Sequence, residues 1–517
     1  MTTYQNPILP GFYPDPSICR KDDDFYLVNS TFAYFPGVPI FHSKDLVHWK
    51  QIGNIIDRKS QMSFIGQDYS QGIYAPTIRY HNGIFYMITT NVGGCGNFYM
   101  TATSPEGPWS DPIVVKGAGI DPTLFFDKDK AYYLGTREKE PAISRYSGDN
   151  EIWLQELDIQ TGELLGEPYV IWEGAVKDAV WQEGPHIYKK DDYYYLLIAE
   201  GGTGLQHAIM IARSKNLFGP YENNPSNPIL THRHLGRYTS IMYVGHGDMV
   251  QAPDDSWWMV ILASRPYGGQ YSNMGRETFL VPVTWEDGWP MINKGKGCVE
   301  PEMEAPKLSA DKYLPENVCD HFEKETLDFK WMCLRAPSED MYSLARRKGY
   351  LSLKLRPETI FEKNNPSFIV RRQQHINYKV STVLEFTPEH QGETAGIVLI
   401  QNENFNIRFE RKIIEGKQGI VVTRREAGID EVVGKCLYDK QKIYLSIIAI
   451  GEKLDFYYGE DEDCNKLLVE EVDATILASE VAGGFVGTCI GMYASSNHIQ
   501  SQQYADFGWF EYIGLVR

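Results

Sequence analysis

Asp15, Asp121 and Glu183 each open a short apolar run, in GFYPDPSI, GIDPTLF and EGPHIY. Carboxyl groups gathered in one place can act as general acid and base. A pair flanking a bond between sugars usually hydrolyses it, one protonating the leaving oxygen while the other activates water or attacks carbon. A third acid close by raises the general acid's pKa by like-charge repulsion and keeps it protonated near neutral pH. Residue type alone does not establish this. Asp bonds its own backbone and Pro fixes φ, so most Asp-Pro pairs simply begin a turn, and the pair recurs at Asp111 without any companion acid pattern. The chemistry depends on elements that bring distant residues together.

Those elements are visible as a repeat. Five segments align: DPSICRKDDDFYLVNST from Asp15, APTIRYHNGIFYMITTN from Ala75, DPTLFFDKDKAYYLGTR from Asp121, GPHIYKKDDYYYLLIAE from Gly184 and GDMVQAPDDSWWMVILA from Gly247. Each reads as an apolar strand, a tight polar turn and a second strand dense in aromatic and branched residues. The aligned starts are 60, 46, 63 and 63 residues apart, which leaves room for two more strands per unit, seen in stretches such as ETFLVPVTWEDGWPMI. Four strands in each of five units predict a five-bladed β-propeller over residues 1–300. Equivalent positions of successive blades form a ring at one mouth of the central channel. The residue at or just before each repeat start is Asp15, Tyr74, Asp121, Glu183 and His246. Three carboxylates, an aromatic ring and a histidine are thus expected to converge, a set suited to a sugar whose C–H faces pack on rings and whose hydroxyls need polar partners.

Beyond residue 300 the pattern changes. The polar, Pro-bearing stretch CVEPEMEAPKLSADKYLPE reads as a connector, placed at 301–320. From Phe322 onward, alternating runs such as YLSLKLRP, STVLEFTP, AGIVLIQ, IYLSIIAI and FVGTCIGMYAS predict an antiparallel β-sandwich over 321–517. The chain is therefore expected to be all-β, with 517 residues divided between two domains.

Composition narrows the partners. A formal charge of −18 disfavours nucleic acid and anionic membrane surfaces and suits a neutral small oligosaccharide. The start MTTYQNPILP has neither a basic nor an apolar leader segment, so a cytoplasmic protein is the expectation. Eight scattered cysteines without C-x-x-C spacing point to reduced thiols rather than to a disulfide or zinc framework. Assembly as a homo-oligomer is left open.

Taken together, GFYPDPSI, STFAYFPGVPIFHSKDLVHW, GIYAP, GIDPTLF, EGPHIY, GHGDMV and GRETFL resemble glycoside hydrolase family 43, and more closely its two-domain β-xylosidases and α-L-arabinofuranosidases. FEKETLDFKWMCLRAP is similar to the opening of that group's C-terminal sandwich. The resemblance implies an exo-acting, inverting hydrolase that releases a terminal pentose from oligosaccharides of plant cell walls. It makes Asp15 the general base, Glu183 the general acid and Asp121 the residue that tunes and orients the acid. Arg276 would fork onto sugar hydroxyls, with an ion pair to a site carboxylate or to Glu277 as the alternative. Phe32 and Tyr74 would form apolar walls, and Phe485 would reach the pocket on a loop of the sandwich. Tyr74 stands where many β-xylosidases of the group carry Trp, which leans towards arabinofuranosides. His246 would face the channel beneath the sugar, as a binding residue or as a ligand of a structural calcium ion. No cofactor is required.

Two other readings fit the propeller less well. A retaining fructan or sucrose hydrolase would carry Asn-Asp-Pro, Arg-Asp-Pro and Glu-Cys motifs, where this chain has Pro-Asp-Pro, Ile-Asp-Pro and Glu-Gly. A non-catalytic sugar-binding or protein-binding propeller would have no use for all three acids.

Overall fold

The computed structural model describes residues 2–236, 238–309 and 318–515. Five antiparallel sheets follow one another along the first 292 residues, with Ser17–Lys21, Thr77–His81, Ile120–Asp127, Glu183–Lys190 and Met242–Gln251 as their first full strands. Four sheets have four strands, and the second gains the two-residue strand Gly72–Ile73. These are the five blades expected from the repeat.

The polar turns do what their residue types allow. Each of the first four hairpins closes on a two-residue turn, at Lys21/Asp24, His81/Ile84, Asp127/Lys130 and Lys190/Tyr193. The first turn residue is Asp22, Asn82, Lys128 or Asp191, and all four lie at φ between 48° and 55°. Hairpins favour that left-handed geometry because it matches strand twist, and Asp and Asn tolerate it.

The propeller is tied shut by its own start. Thr3–Gln5 pairs with Glu302–Glu304, within the stretch read as a connector, and Leu9 exchanges backbone hydrogen bonds with Thr278 of the fifth blade. The middle of the connector, 310–317, lies outside the described residues. Cys319–Asp320, its last two residues, already pair with the long sandwich strand Tyr504–Gly514.

The C-terminal half contains two eight-stranded antiparallel sheets. One of them ends on Tyr34–Phe35, a strand from the propeller's first blade, which pairs through Tyr34 with Leu334 and through Phe35 with Cys333. The apolar core is continuous across this join: Phe12, Phe32, Tyr34 and Ile73 belong to the same buried cluster as Leu334, Val370, Ile397 and Tyr493. Among the described residues the only α-helix is Ser479–Ala482, and no helix is long and apolar enough to cross a membrane.

Candidate active site

The ring residues gather at the mouth where the first strand of each blade begins. Asp15, Asp121 and His246 all sit in the left-handed region, at φ of 52°, 52° and 44°, and Gly184, next to Glu183, at 58°. In blades three, four and five the ladder slips at this point, between Ile120 and Thr123, Glu183 and His186, and Met242 and Gly247. A bulge of this kind turns a side chain out of the sheet's alternation, here into the channel, and holding non-glycine residues at positive φ costs about 1 kcal/mol each. Gly184 also makes room, since a Cβ there would lie 2.8 Å from Cε1 of His246.

The three carboxyls are held in different states. Asp15 is buried, with Oδ1 2.6 Å from Nη1 of Arg276 and Oδ2 accepting from the Ser30 hydroxyl at 2.5 Å. Burial opposes its charge, but Arg276, His246 and Ser30 together hold its pKa below the ordinary carboxylate value. Glu183 is pushed the other way, to about 7, by burial first and by the Asp15 charge second. Asp121 is raised well above its usual value by burial, then by Glu183 and Asp15, although the Ala75 amide bonds its carboxylate. Burial and like-charge repulsion thus raise both Glu183 and Asp121 above the ordinary carboxylate range. Glu183 is the more open of the two.

Beneath the ring lies a layer whose role the sequence did not announce. Asp248, fully buried, accepts from Ser17 Oγ at 2.6 Å, Tyr188 Oη at 2.6 Å and Arg79 Nη1 at 2.8 Å, and Arg79 Nη2 donates to His186 Nδ1 at 2.8 Å. Ser17 follows Asp15 by two positions and His186 follows Glu183 by three, so one ion pair fastens the strands that carry base and acid. The signal was present in the repeat: Ser17, Thr77, Thr123 and His186 occupy its third position.

The sandwich closes one side. The Phe485 amide donates to Ser70 Oγ at 2.9 Å, and Glu480 accepts from the Ser272 amide at 2.9 Å and from the Ser272 hydroxyl at 2.5 Å. Phe485 stacks on Phe32 with centroids 6.1 Å apart, and meets Tyr74 edge-on at 5.8 Å. The run FVGTCIGMYAS is thus strand only from Cys489; its first four residues form this docking loop. Beside it a cavity of about 280 Å³ opens between Arg276, Phe485, Glu480, Ser272, Thr203 and Leu205.

The structure places three further site residues as follows. Phe32 is 1% exposed, layered between Phe12 and Phe485, and Phe485, 38% exposed, presents the open ring. Arg276 takes the alternative of an ion pair, and its partner is Asp15 rather than Glu277, which is claimed by Arg265 at 2.8 Å. Arg276 still borders the cavity. His246 is buried, and burial lowers its pKa. Among the described residues no group of three or more His, Cys, Asp or Glu side chains is placed to hold a metal ion.

Comparisons with known proteins agree with this geometry. Residues 4–290 match the profile "Glycosyl hydrolases family 43", and residues 319–513 match "Beta xylosidase C-terminal Concanavalin A-like domain". The chain is 48% identical to a xylosidase/arabinosidase of Butyrivibrio fibrisolvens, over 99% of both chains. It is 40% identical to a non-reducing end alpha-L-arabinofuranosidase of Bacteroides ovatus, over 99% of this chain and 94% of that one. Among solved structures, a Bacteroides ovatus xyloglucan-locus family 43 protein superposes with a TM-score of 0.93 at 38% identity, covering 99% of this chain and 100% of that one. A xylan beta-1,4-xylosidase from Bacillus halodurans gives 0.92 at 34% identity, with the same coverage. The two matched profiles and the relatives of 40–48% identity over nearly the whole chain, together with a five-bladed propeller carrying two buried acids and one half-buried acid at its mouth, place this chain in glycoside hydrolase family 43.

Proposed function

We propose that the protein is an exo-acting, inverting glycosidase that removes terminal α-L-arabinofuranosyl and β-D-xylosyl units from short oligosaccharides. The observation that carries this reading is the placement of the acids: Asp15, bonded to Arg276 and Ser30, lies within electrostatic reach of the more open Glu183. Asp15 is kept ionised by Arg276 and Ser30, while Glu183 stays protonated to about pH 7. An ionised base and a protonated acid at one pH are what single-displacement hydrolysis needs.

In the proposed reaction, water attacks the anomeric carbon and gives its proton to Asp15. The bond to the leaving oxygen breaks as Glu183 protonates that oxygen, and the sugar departs with inverted configuration. Asp121, buried beside Glu183, orients and tunes it. Inversion requires room for the water, so the Asp15 and Glu183 carboxyls are expected to stand about 6.5–9.5 Å apart. Arg276 both charges the base and borders the cavity, where it can also meet sugar hydroxyls. Closure by the Phe485 loop favours chain ends over chain interiors. The relatives named as acting on xylosides and arabinofuranosides support both glycones, and Tyr74 in place of Trp leans towards the furanoside.

The test is hydrolysis of aryl α-L-arabinofuranoside and aryl β-D-xyloside by the wild type, Asp15→Ala and Glu183→Ala, with proton NMR of the first anomer released. Activity on neither substrate, full activity in either variant, or a retained anomer overturns the reading.

A further inference from the structure

Trp181 stands two residues before Glu183, in AVWQEGPH, and takes no part in the site described above. Its backbone lies at φ 53°, a conformation in which a bulky side chain is strained, yet the residue is 46% exposed. A large apolar residue held in strain in order to face solvent asks for a reason other than packing.

Its surroundings are built to hold it. The Trp181 amide donates to the Gly148 carbonyl at 2.8 Å. A Cβ on Gly148 would come within 2.9 Å of the indole Nε1, and one on Gly202 within 2.6 Å of Cε3. Two glycines from the loops of neighbouring blades thus leave a slot that the indole fills. Both loops lie at the mouth: 139–149 joins the end of Lys130–Glu138 to Asn150–Leu157, and 201–207 joins Tyr193–Glu200 to Ala208–Ser214. Gln182, between Trp181 and Glu183, is 1% exposed and is pinned through its side chain to the Asn150 amide and the Ala179 carbonyl. Ring and general acid are therefore anchored on opposite sides of one rigid residue. Past Gly202, Thr203 and Leu205 continue into the cavity of about 280 Å³.

We propose that Trp181 is the platform for the leaving-group sugar, stacking the C–H face of the residue whose oxygen Glu183 protonates. This rests on the proposed role of Glu183, because a general acid must lie on the leaving-group side. The sugar class is a neutral pyranose or furanose at the new reducing side of the cleaved bond, with its hydroxyls towards the cavity.

The experiment compares two substrates with the same pentose: a disaccharide, whose leaving group is a sugar, and the methyl pentoside, whose leaving oxygen also needs the proton of Glu183 but carries no face to stack. Trp181→Gly removes the ring and suits the backbone angle, and Trp181→Phe keeps a smaller ring. The expected result is a roughly tenfold loss of kcat/KM on the disaccharide in the glycine variant, no change on the methyl pentoside, and partial recovery with Phe. Equal losses on both substrates, or none on the disaccharide, overturn this inference alone. A wild type that cleaves neither substrate overturns the functional reading, and the platform falls with it.

Discussion

The Arg276 guanidinium touches both domains at the reacting centre: Nη1 lies 2.6 Å from Asp15 Oδ1, and Nη2 lies 3.3 Å from the carbonyl oxygen of Phe485. Arg276 is thus at once the counter-charge of the proposed base and a tie to the sandwich loop. Arg276→Ala leaves Asp15 buried without its main partner, so the Asp15 pKa rises. The expected outcome is a fall in kcat/KM of about 10²–10³, from a lost transition-state contact of a few kcal/mol, with the acidic limb of the pH profile moved upward. Arg276→Lys keeps the charge and loses the fork, and should restore the limb more than the rate. A rate profile with an unchanged acidic limb in the alanine variant would show that Arg276 does not set the charge on Asp15.

The wild-type pH profile follows from the same groups. Asp15 must be ionised and Glu183 protonated, so kcat/KM should form a plateau. Its acidic limb should lie below the ordinary carboxylate range and its alkaline limb near 7. The Glu183 pKa is raised from 4.5 to about 7, so the folded state binds more protons than the unfolded chain between these values and loses stability as pH rises through them. Glu183→Gln removes that penalty. Its unfolding midpoint should match the wild type near pH 4 and exceed it at pH 8, by an amount equivalent to about 3 kcal/mol. Urea unfolding at the two pH values measures this, and a midpoint gain that does not grow with pH would place Glu183 in a less buried setting.

The blades and the ring were legible because the repeat marks each first strand and a strand start fixes its place at the channel mouth. The three acids stood out as types that three of five starts share. The states of those acids were not legible. They depend on Arg276 and Ser30, which reach Asp15 from another blade and another strand, and on burial that no spacing encodes. The fate of Phe32 was hidden for the same reason: a sequence shows an aromatic beside a site, but not that Phe12 and Phe485 cover both its faces. Tyr34–Phe35 was unreadable as a strand because two residues carry no period, and its partner Met332–Leu334 lies about three hundred residues away.

That short strand makes the two domains inseparable in practice. Ending the chain at residue 300 would uncover Phe12, Tyr34, Phe35 and Ile73, all buried against or beside the sandwich, and would unpair the Tyr34–Phe35 edge. Exposed apolar surface with an open strand edge favours aggregation. The propeller expressed alone should therefore be insoluble, or monomeric only with lost near-ultraviolet dichroism. A soluble, cooperatively unfolding fragment of residues 1–300 would contradict a shared core.

The ion pair of Arg79 with Asp248 should be the most sensitive point in the channel. Asp248 has no exposed side-chain surface, and Arg79, with Ser17, His186 and Tyr188 around it, holds the Asp248 pKa far below the ordinary value. A depressed carboxylate stabilises the fold above its unfolded pKa of about 3.9, and that contribution disappears as pH falls towards the folded value. Asp248→Asn leaves the Arg79 charge buried and unmatched, which should cost about 3–5 kcal/mol at pH 7. The loss relative to wild type should shrink as pH is lowered below 4, where the unfolded chain takes up a proton at Asp248 that the native carboxylate does not. Arg79→Met combined with Asp248→Asn removes both charges and should recover part of the loss, because the two residues act as a unit. Denaturant unfolding of the two single variants and the double variant gives the coupling directly. Additive losses would mean that Arg79 and Asp248 stabilise the channel independently and that the pair does not fasten the strands carrying Asp15 and Glu183.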